Sequence, residues 1–345
     1  MGDDMQGVAY LGDGAVEVRE FDRPTPDVTE AVLEMKAAGI CGSDLHKYHR
    51  DRDWAAARDG MISGHEPCGI VESVGPGVDQ VDVGDRIVVY HSTGCGHCRH
   101  CFDGMPKYCD DEGAFGRTLD GSHADYMATP ARYCLPLPDE LSFAVGTQLA
   151  CTAGTGYGAV RTADVRPGDR LAVVGLGPVG ASAYLWADAM GLDPIGVEID
   201  PNRLALVDDI GTGTVIDAGL DDAPAVVKEI TDGRGVDAVL ECSGSPTGRR
   251  DAIAMAGHGA TVVTVGMGQE SEIPVPFGAL LGRNLTIVAN SVYAIEQHYE
   301  MLDVLATHEV PLDELVTHRY EIEDAVDAFR QFDEGSTGKV LFEWN

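Results

Sequence analysis

RLAVVGLGPVGASAYLWADAMGLDPIGVEID, residues 170–200, decides the fold. An apolar run ends in Gly175-x-Gly177-x-x-Gly180, a helix-like stretch follows, and a second apolar run ends at Glu198. Glycines at this spacing permit a tight turn, close approach of backbone to a pyrophosphate, and close helix–sheet packing. The helix opening at Pro178 and Val179 adds N–H groups and the positive end of a dipole. A carboxylate about 20 residues on completes the pattern. Glu198 occupies that place, where it can accept from both ribose hydroxyls and repel a 2′-phosphate, with Asp200 a competitor for the role. NAD is therefore the expected coenzyme. Arg203 either holds the ribose 3′-hydroxyl or, if Glu198 points away, binds the extra phosphate of NADP.

Working outward, short apolar runs alternate with amphipathic stretches from about residue 169 to 290. This rhythm predicts a doubly wound parallel sheet of about six strands, an α/β Rossmann domain over 156–290. Cys242 and Ser243 follow its fourth strand and are expected at the adenosine site. Val265 and Gly266, which close the run ATVVTVG, and Lys339 complete the coenzyme candidates. From about 7 to 140 the chain instead reads as short β-like runs separated by Gly, Pro and Asp. Residues 291–345 hold helical periodicity and a final strand, too few elements for a third core. They are expected to pack on the first part, so that 1–155 and 291–345 form one mostly β domain.

Fifty-seven acidic residues face 24 basic ones, a formal net charge of −33, and only five of the basic residues are lysines. Nucleic acid and anionic lipid are thereby excluded as expected partners. The acids are spread among periodic apolar segments, which predicts a globular protein with an acidic, salt-adapted surface rather than a disordered tail. No run of about 18 apolar residues and no basic-then-apolar leader is present, so a cytoplasmic protein without a membrane span is expected. A homodimer or homotetramer acting on a small molecule fits this reading.

Cys95-x2-Cys98-x2-Cys101-x7-Cys109 places four thiolates in one short loop, enough to surround a tetrahedral zinc with no position left for water or substrate. Such a closed site is structural; an iron–sulfur cluster would use the same four thiolates. His97 and His100 lie between the ligands and read as solvated.

Taken alone, Cys41, His65, Glu66 and Cys151 are scattered zinc-competent residues. Their surroundings, GICGSDLHKY (39–48), ISGHEPCGIVESVG (62–75), VGDRIVV (83–89) and LACTAGTGYGAV (149–160), resemble the medium-chain zinc alcohol dehydrogenase family over essentially the whole chain. The resemblance implies a GroES-like catalytic domain, with the active site where coenzyme meets zinc. It implies Cys41, His65 and Cys151 as catalytic zinc ligands, with Glu66 the carboxylate near or transiently on the metal. It makes the 95–109 lobe the structural zinc site and Thr155 the nicotinamide contact. Many polyol-type relatives place a glutamate in the region of Cys151.

Chemistry leads to the same assignment: oxidising an alcohol requires its O–H acidified and its oxygen fixed, which zinc with three protein ligands and an open fourth position supplies. Ser43 is placed to take the proton and His46 to pass it to solvent. The expected reaction is hydride transfer between an alcohol, polyol or sugar and NAD(P). His91 is the polar candidate for the substrate pocket, leaning towards a hydroxylated substrate, with Tyr48, Trp54 and Phe115 as apolar ones. A non-catalytic, coenzyme-binding relative is the reading outside the enzyme class, although zinc-free relatives lose ligands that this chain retains. Cys68, Cys134 and His123 read as packing or default residues.

Overall fold

The computed structural model of the chain describes residues 4–58, 60–268, 272 and 275–344. Two compact units form: Met1–Cys151 with Val316–Asn345, and Thr152–Leu315.

In the second unit six parallel strands lie in the order Thr214–Asp217, Asp193–Glu198, Arg170–Val174, Val236–Glu241, Ala256–Thr264, Thr286–Ala289. This is the doubly wound order, in which the direction of winding reverses beside the first strand and opens a crevice at the carboxyl ends. Leu171 to Val174 are buried without alternation, as a strand covered on both faces requires. Gly177 caps the helix Pro178–Ala189, and proline at its first turn gives up an N–H that the helix leaves unpaired anyway. That helix is buried from Gly180 to Ala187, and Trp186 donates its indole N–H to the Ala153 carbonyl at 2.9 Å.

Residues 291–315 cluster with this second unit, whereas the sequence assigned them to the first. Their helix, Glu296–Thr307, packs on the helix Thr152–Thr162 and buries His298 and Met301. Periodicity reveals that a helix has a buried face but not which neighbour covers it.

In the first unit the strand Glu30–Ile40 is central. One edge pairs antiparallel with Pro67–Val74. The other edge pairs first with Tyr126–Pro130, along residues 30–34, and then with Lys339–Glu343, along 37–40. Arg86–Val89 and Cys134–Pro136 extend the sheet on one side, and Val316–Tyr320 on the other. The helix Ala325–Asp333 buries Phe329 and Phe332 against Val8, Ile40, Val340 and Phe342. No helix among the described residues is long and apolar enough to cross a membrane.

Candidate active site

Three pieces of the first unit converge. The central strand ends at Ile40, and Cys41 then caps the helix Gly42–Tyr48. His65 and Glu66 follow Gly64, whose φ of +90° favours glycine and where a Cβ would strike the His123 ring. The helix Phe143–Ala150 delivers Cys151 at its C-cap. One donor atom from each of Cys41, His65, Glu66 and Cys151 lies within 4.8 Å of all the others, and all four residues are buried.

This donor set fits a zinc ion. Two thiols and an imidazole make a three-ligand site of the catalytic kind. Beside them Glu66 Oε1 is buried with no hydrogen-bond partner among the described residues. A buried orphan acceptor is costly unless a cation or polar group faces it. The other oxygen, Oε2, is paired with the ammonium of Lys339, itself fully buried and donating to the Ile40 carbonyl at 2.9 Å. Burial raises the Glu66 carboxyl to about 7 against the opposing pull of Lys339. The Lys339 ammonium, a coenzyme candidate from sequence, is thus engaged at the metal-site carboxylate.

Asp44, which the sequence did not single out, orients the histidine. It is fully buried; Oδ1 accepts from His65 Nδ1–H (3.0 Å), Tyr10 O–H (3.1 Å) and Lys47 (3.1 Å), while Oδ2 accepts from the Cys41 N–H (3.0 Å). Nδ1 being held, Nε2 is the nitrogen left for the metal, and Ser43 Oγ lies 3.1 Å from it. His46 is exposed on the same helix.

Burial alone would lower the His65 pKa, but the Asp44 carboxylate overrides it and raises the ring to about 10. A hydrogen bond from Cys151, together with His65, holds Cys41 well below the usual thiol range, against burial. Cys151 is raised, first by that hydrogen bond and then by burial. Cys41 is thus the more acidic of the two thiols, and the Asp44 carboxylate favours the protonated form of His65. Zinc binding at pH 7 is expected to release protons, with His65 and Cys151 as sources. Zinc affinity should accordingly rise as pH climbs towards 10. Calorimetric titration in buffers of different ionisation enthalpy measures the release; a value near zero would contradict this charge state.

Cys95, Cys98, Cys101 and Cys109 place their sulfurs within 4.8 Å of one another. Backbone N–H groups of Cys95 and Asp111 donate to Cys109 Sγ, and that of Gly96 to Cys101 Sγ, at 3.3–3.4 Å. These bonds favour thiolates, and four of them fit a closed tetrahedral zinc. His97 and His100 are exposed; His97 turns its ring to the Cys95 carbonyl.

In the second unit Gly175 has φ +88°, and a Cβ on it would meet Ser243 at 2.7 Å. The glycine turn and Cys242–Ser243 therefore adjoin at the crevice. Val265 and Gly266 both donate their N–H to the Glu241 carbonyl, beside that turn. Glu198 is buried, with Oε2 accepting from the Leu176 N–H (2.7 Å) and Oε1 from Ile199 (2.7 Å) and Asp200 (3.1 Å). Asp200 caps the next helix by accepting from Asn202 and Arg203. Arg203 lies 4.0 Å from Glu198 and near Gly177. Thr155 is buried, its carbonyl accepting from Asn290 at 3.3 Å.

The aromatic pocket candidates have these neighbours. Tyr48 packs on Phe329 at 5.5 Å, in the core of the first unit. Trp54 meets Tyr10 edge-on at 6.2 Å. Phe115 lines a cavity of about 490 Å³ with Phe21, Ile62 and Tyr126. Cys68 is fully buried and donates to the Ile87 carbonyl.

Residues 27–139 match the alcohol dehydrogenase GroES-like domain, and residues 178–307 match the zinc-binding dehydrogenase family. The chain is 36% identical to the zinc-type alcohol dehydrogenase-like protein YphC of Escherichia coli (strain K12), over 96% of this chain and 97% of that protein. It is 31% identical to sorbitol dehydrogenase of Bacillus subtilis (strain 168), over 91% and 90%. Alcohol dehydrogenase TADH from Thermus sp. ATN1 superposes with a TM-score of 0.90 at 28% identity, over 98% and 99% of the two chains.

Proposed function

This chain belongs to the zinc-binding alcohol dehydrogenase family, and from that premise we propose how its own residues carry the chemistry. It is a zinc-dependent, NAD(P)-linked oxidoreductase of alcohols, polyols or sugars. The reading rests above all on the four buried donors gathered within 4.8 Å.

Cys41, His65 and Cys151 would hold the zinc, which would supply Lewis acidity towards the substrate oxygen, and a bound nicotinamide would supply the hydride acceptor. Ser43 would accept the alcohol proton at Oγ while giving up its own hydroxyl proton towards His46, which is exposed and would release it to solvent. Asp44 fixes the tautomer of His65, and Lys339 holds Oε2 of Glu66 while Oε1 is buried without a partner among the described residues. Gly175, Gly177 and Gly180, with the helix opening at Pro178 and Val179, cradle the pyrophosphate. Cys242, Ser243, Val265 and Gly266 border the adenosine side, and Thr155 contacts the nicotinamide. Burial holds His91 down to about 3, which keeps the ring neutral, and at the pocket position expected from its sequence place it would offer substrate a polar, uncharged contact. That favours a polyol or secondary alcohol. Turnover of ethanol, butanediol, threonine and a set of aldoses with each coenzyme tests this. Coenzyme binding without turnover of any of them, in zinc-replete protein, would instead support the non-catalytic reading.

NAD should be preferred over NADP by about tenfold or more in kcat/KM, equivalent to about 1.4 kcal/mol. A 2′-phosphate would face the Glu198 carboxylate, and Glu198→Ala should erase the preference. A wild-type preference for NADP would mean that Arg203 prevails.

The protein is further proposed to be a cytoplasmic homodimer or homotetramer with a salt-adapted surface. Thirty-three excess negative charges repel across about 30 Å in 0.01 M salt but only about 3 Å in 1 M. Stability and half-life should rise with potassium chloride; equal melting temperatures in dilute and molar salt would refute the adaptation.

A further inference from the structure

His123 is fully buried, and no step of the proposed reaction uses it. Both ring nitrogens are engaged: Nδ1 with Ser63 Oγ at 2.9 Å and Nε2 with the Gly39 carbonyl at 3.0 Å. A carbonyl can only accept, so Nε2 carries the proton and Nδ1 accepts from the serine hydroxyl. Gly39 lies two residues before Cys41, and Ser63 two residues before His65. One imidazole thus ties together the segments that present two of the three metal ligands.

The ring itself is held from several sides. Phe342 and Phe329 meet it edge-on at 5.0 and 5.7 Å, and Gly64 lies against it where a side chain would clash. The backbone N–H of His123 donates to the Ser63 carbonyl at 2.9 Å, and its carbonyl accepts from Val8 at 2.9 Å. Neighbouring bonds continue the lattice. Gly39 N–H donates to Thr147 Oγ1 at 2.9 Å, Thr147 in turn donates to the Glu66 carbonyl, and Glu66 N–H reaches Ser122 Oγ at 3.3 Å. Thr147 lies on the helix that delivers Cys151. Gly39 N–H also lies 3.4 Å from the Glu66 carbonyl, and Lys339 and Asp44 add further ties between the two approaches; the His123 side chain is the one that joins Gly39 to Ser63.

We propose that His123 is a positioning residue for the catalytic metal site, a strut between Gly39 and Ser63 that sets the separation of Cys41 and His65 and thereby zinc retention. This rests on the reading of Cys41, His65 and Cys151 as metal ligands. Ligand spacing matters because a donor displaced by a fraction of an ångström from tetrahedral geometry binds more weakly, and supporting bonds fix that spacing.

His123→Phe retains a ring against Phe329 and Phe342 but removes both hydrogen bonds. Expected is an about tenfold or greater acceleration of zinc loss from the catalytic site during chelator challenge, with the four-cysteine zinc leaving at the wild-type rate as internal reference. In cobalt-substituted protein the visible absorption of the catalytic site should shift, which a purely packing role would not cause. His123→Gln, which keeps a donor for the Gly39 carbonyl, should recover part of the retention. If His123→Phe does not fold, Ser63→Ala, which removes one bond only, is judged by the same two readouts. Wild-type zinc loss and an unshifted cobalt spectrum in the folded variant overturn the proposal. Wild-type protein that holds metal only at the four cysteines would overturn the underlying site reading instead.

Discussion

Asp44→Asn is expected to lower kcat and catalytic-zinc affinity by about 10- to 100-fold, the usual consequence of losing the carboxylate behind a metal-bound histidine. The substitution conserves shape, so packing is spared. Its amide, however, cannot accept from His65, Tyr10 and Lys47 on one side and from the Cys41 N–H on the other, as the carboxylate does. At least one buried donor is left unpaired, at a cost of about 1–3 kcal/mol. Burial opposes the charge on Asp44, but His65 and Lys47 outweigh it and hold the carboxyl well below its ordinary value. A depressed carboxyl contributes stability above its unfolded pKa of about 3.9, and that contribution fades as pH falls through the folded value. The stability gap between wild type and variant should therefore be full at pH 7 and narrow in acid. Metal analysis with steady-state kinetics decides the main point; wild-type kcat with full zinc occupancy would contradict the orienting role.

Lys339→Met should cost about 3–5 kcal/mol of unfolding free energy, the range for stranding one member of a buried ion pair. Both Lys339 and Glu66 have no solvent exposure, so water cannot compensate the carboxylate once its partner is gone. Burial should then keep Glu66 protonated at neutral pH, and the variant should lose catalytic zinc more readily. Adding Glu66→Gln in the same chain replaces the unpaired carboxyl with an amide that cannot ionise and should restore much of the stability without restoring activity. Denaturant titration of the single and double variants tests this. A loss below about 1 kcal/mol for Lys339→Met would mean that the pair contributes little.

What could be read in advance follows from how local each feature is. The glycine turn, the strand before it and Glu198 lie within 31 residues, and the four lobe cysteines within 15. Local spacing is enough to find them. His65 and Cys41 became visible through their surrounding strings, since nothing in their separation alone marks a shared site. Asp44 lay inside one of those strings, but a carboxylate on a short helix is usually solvated, and only the fold buries it against His65. His123 and Gly39 are 84 residues apart, and Lys339 and Glu66 are 273 apart. Such contacts depend on strand register, which a one-residue slip would undo. Tyr48 packs in the core of the first unit and Phe115 lines a cavity with Phe21 and Ile62, neighbours that sequence proximity does not reveal because it does not fix the direction of a side chain.

The strand Lys339–Glu343 lies beside residues 37–40, and Lys339 meets Glu66. During synthesis these partners emerge almost a whole chain apart in time. The segment 152–315 leaves the ribosome complete, with its own sheet and core, before the edge at 37–40 can be covered. Domains generally fold as they emerge, so the coenzyme unit can mature while the metal-bearing unit waits with an open sheet edge and an unanswered carboxylate. A nascent chain stopped before residue 339 would thus carry a finished nucleotide fold joined to an unfinished metal site. Cells making this enzyme have reason to shield that waiting edge until the late strand arrives.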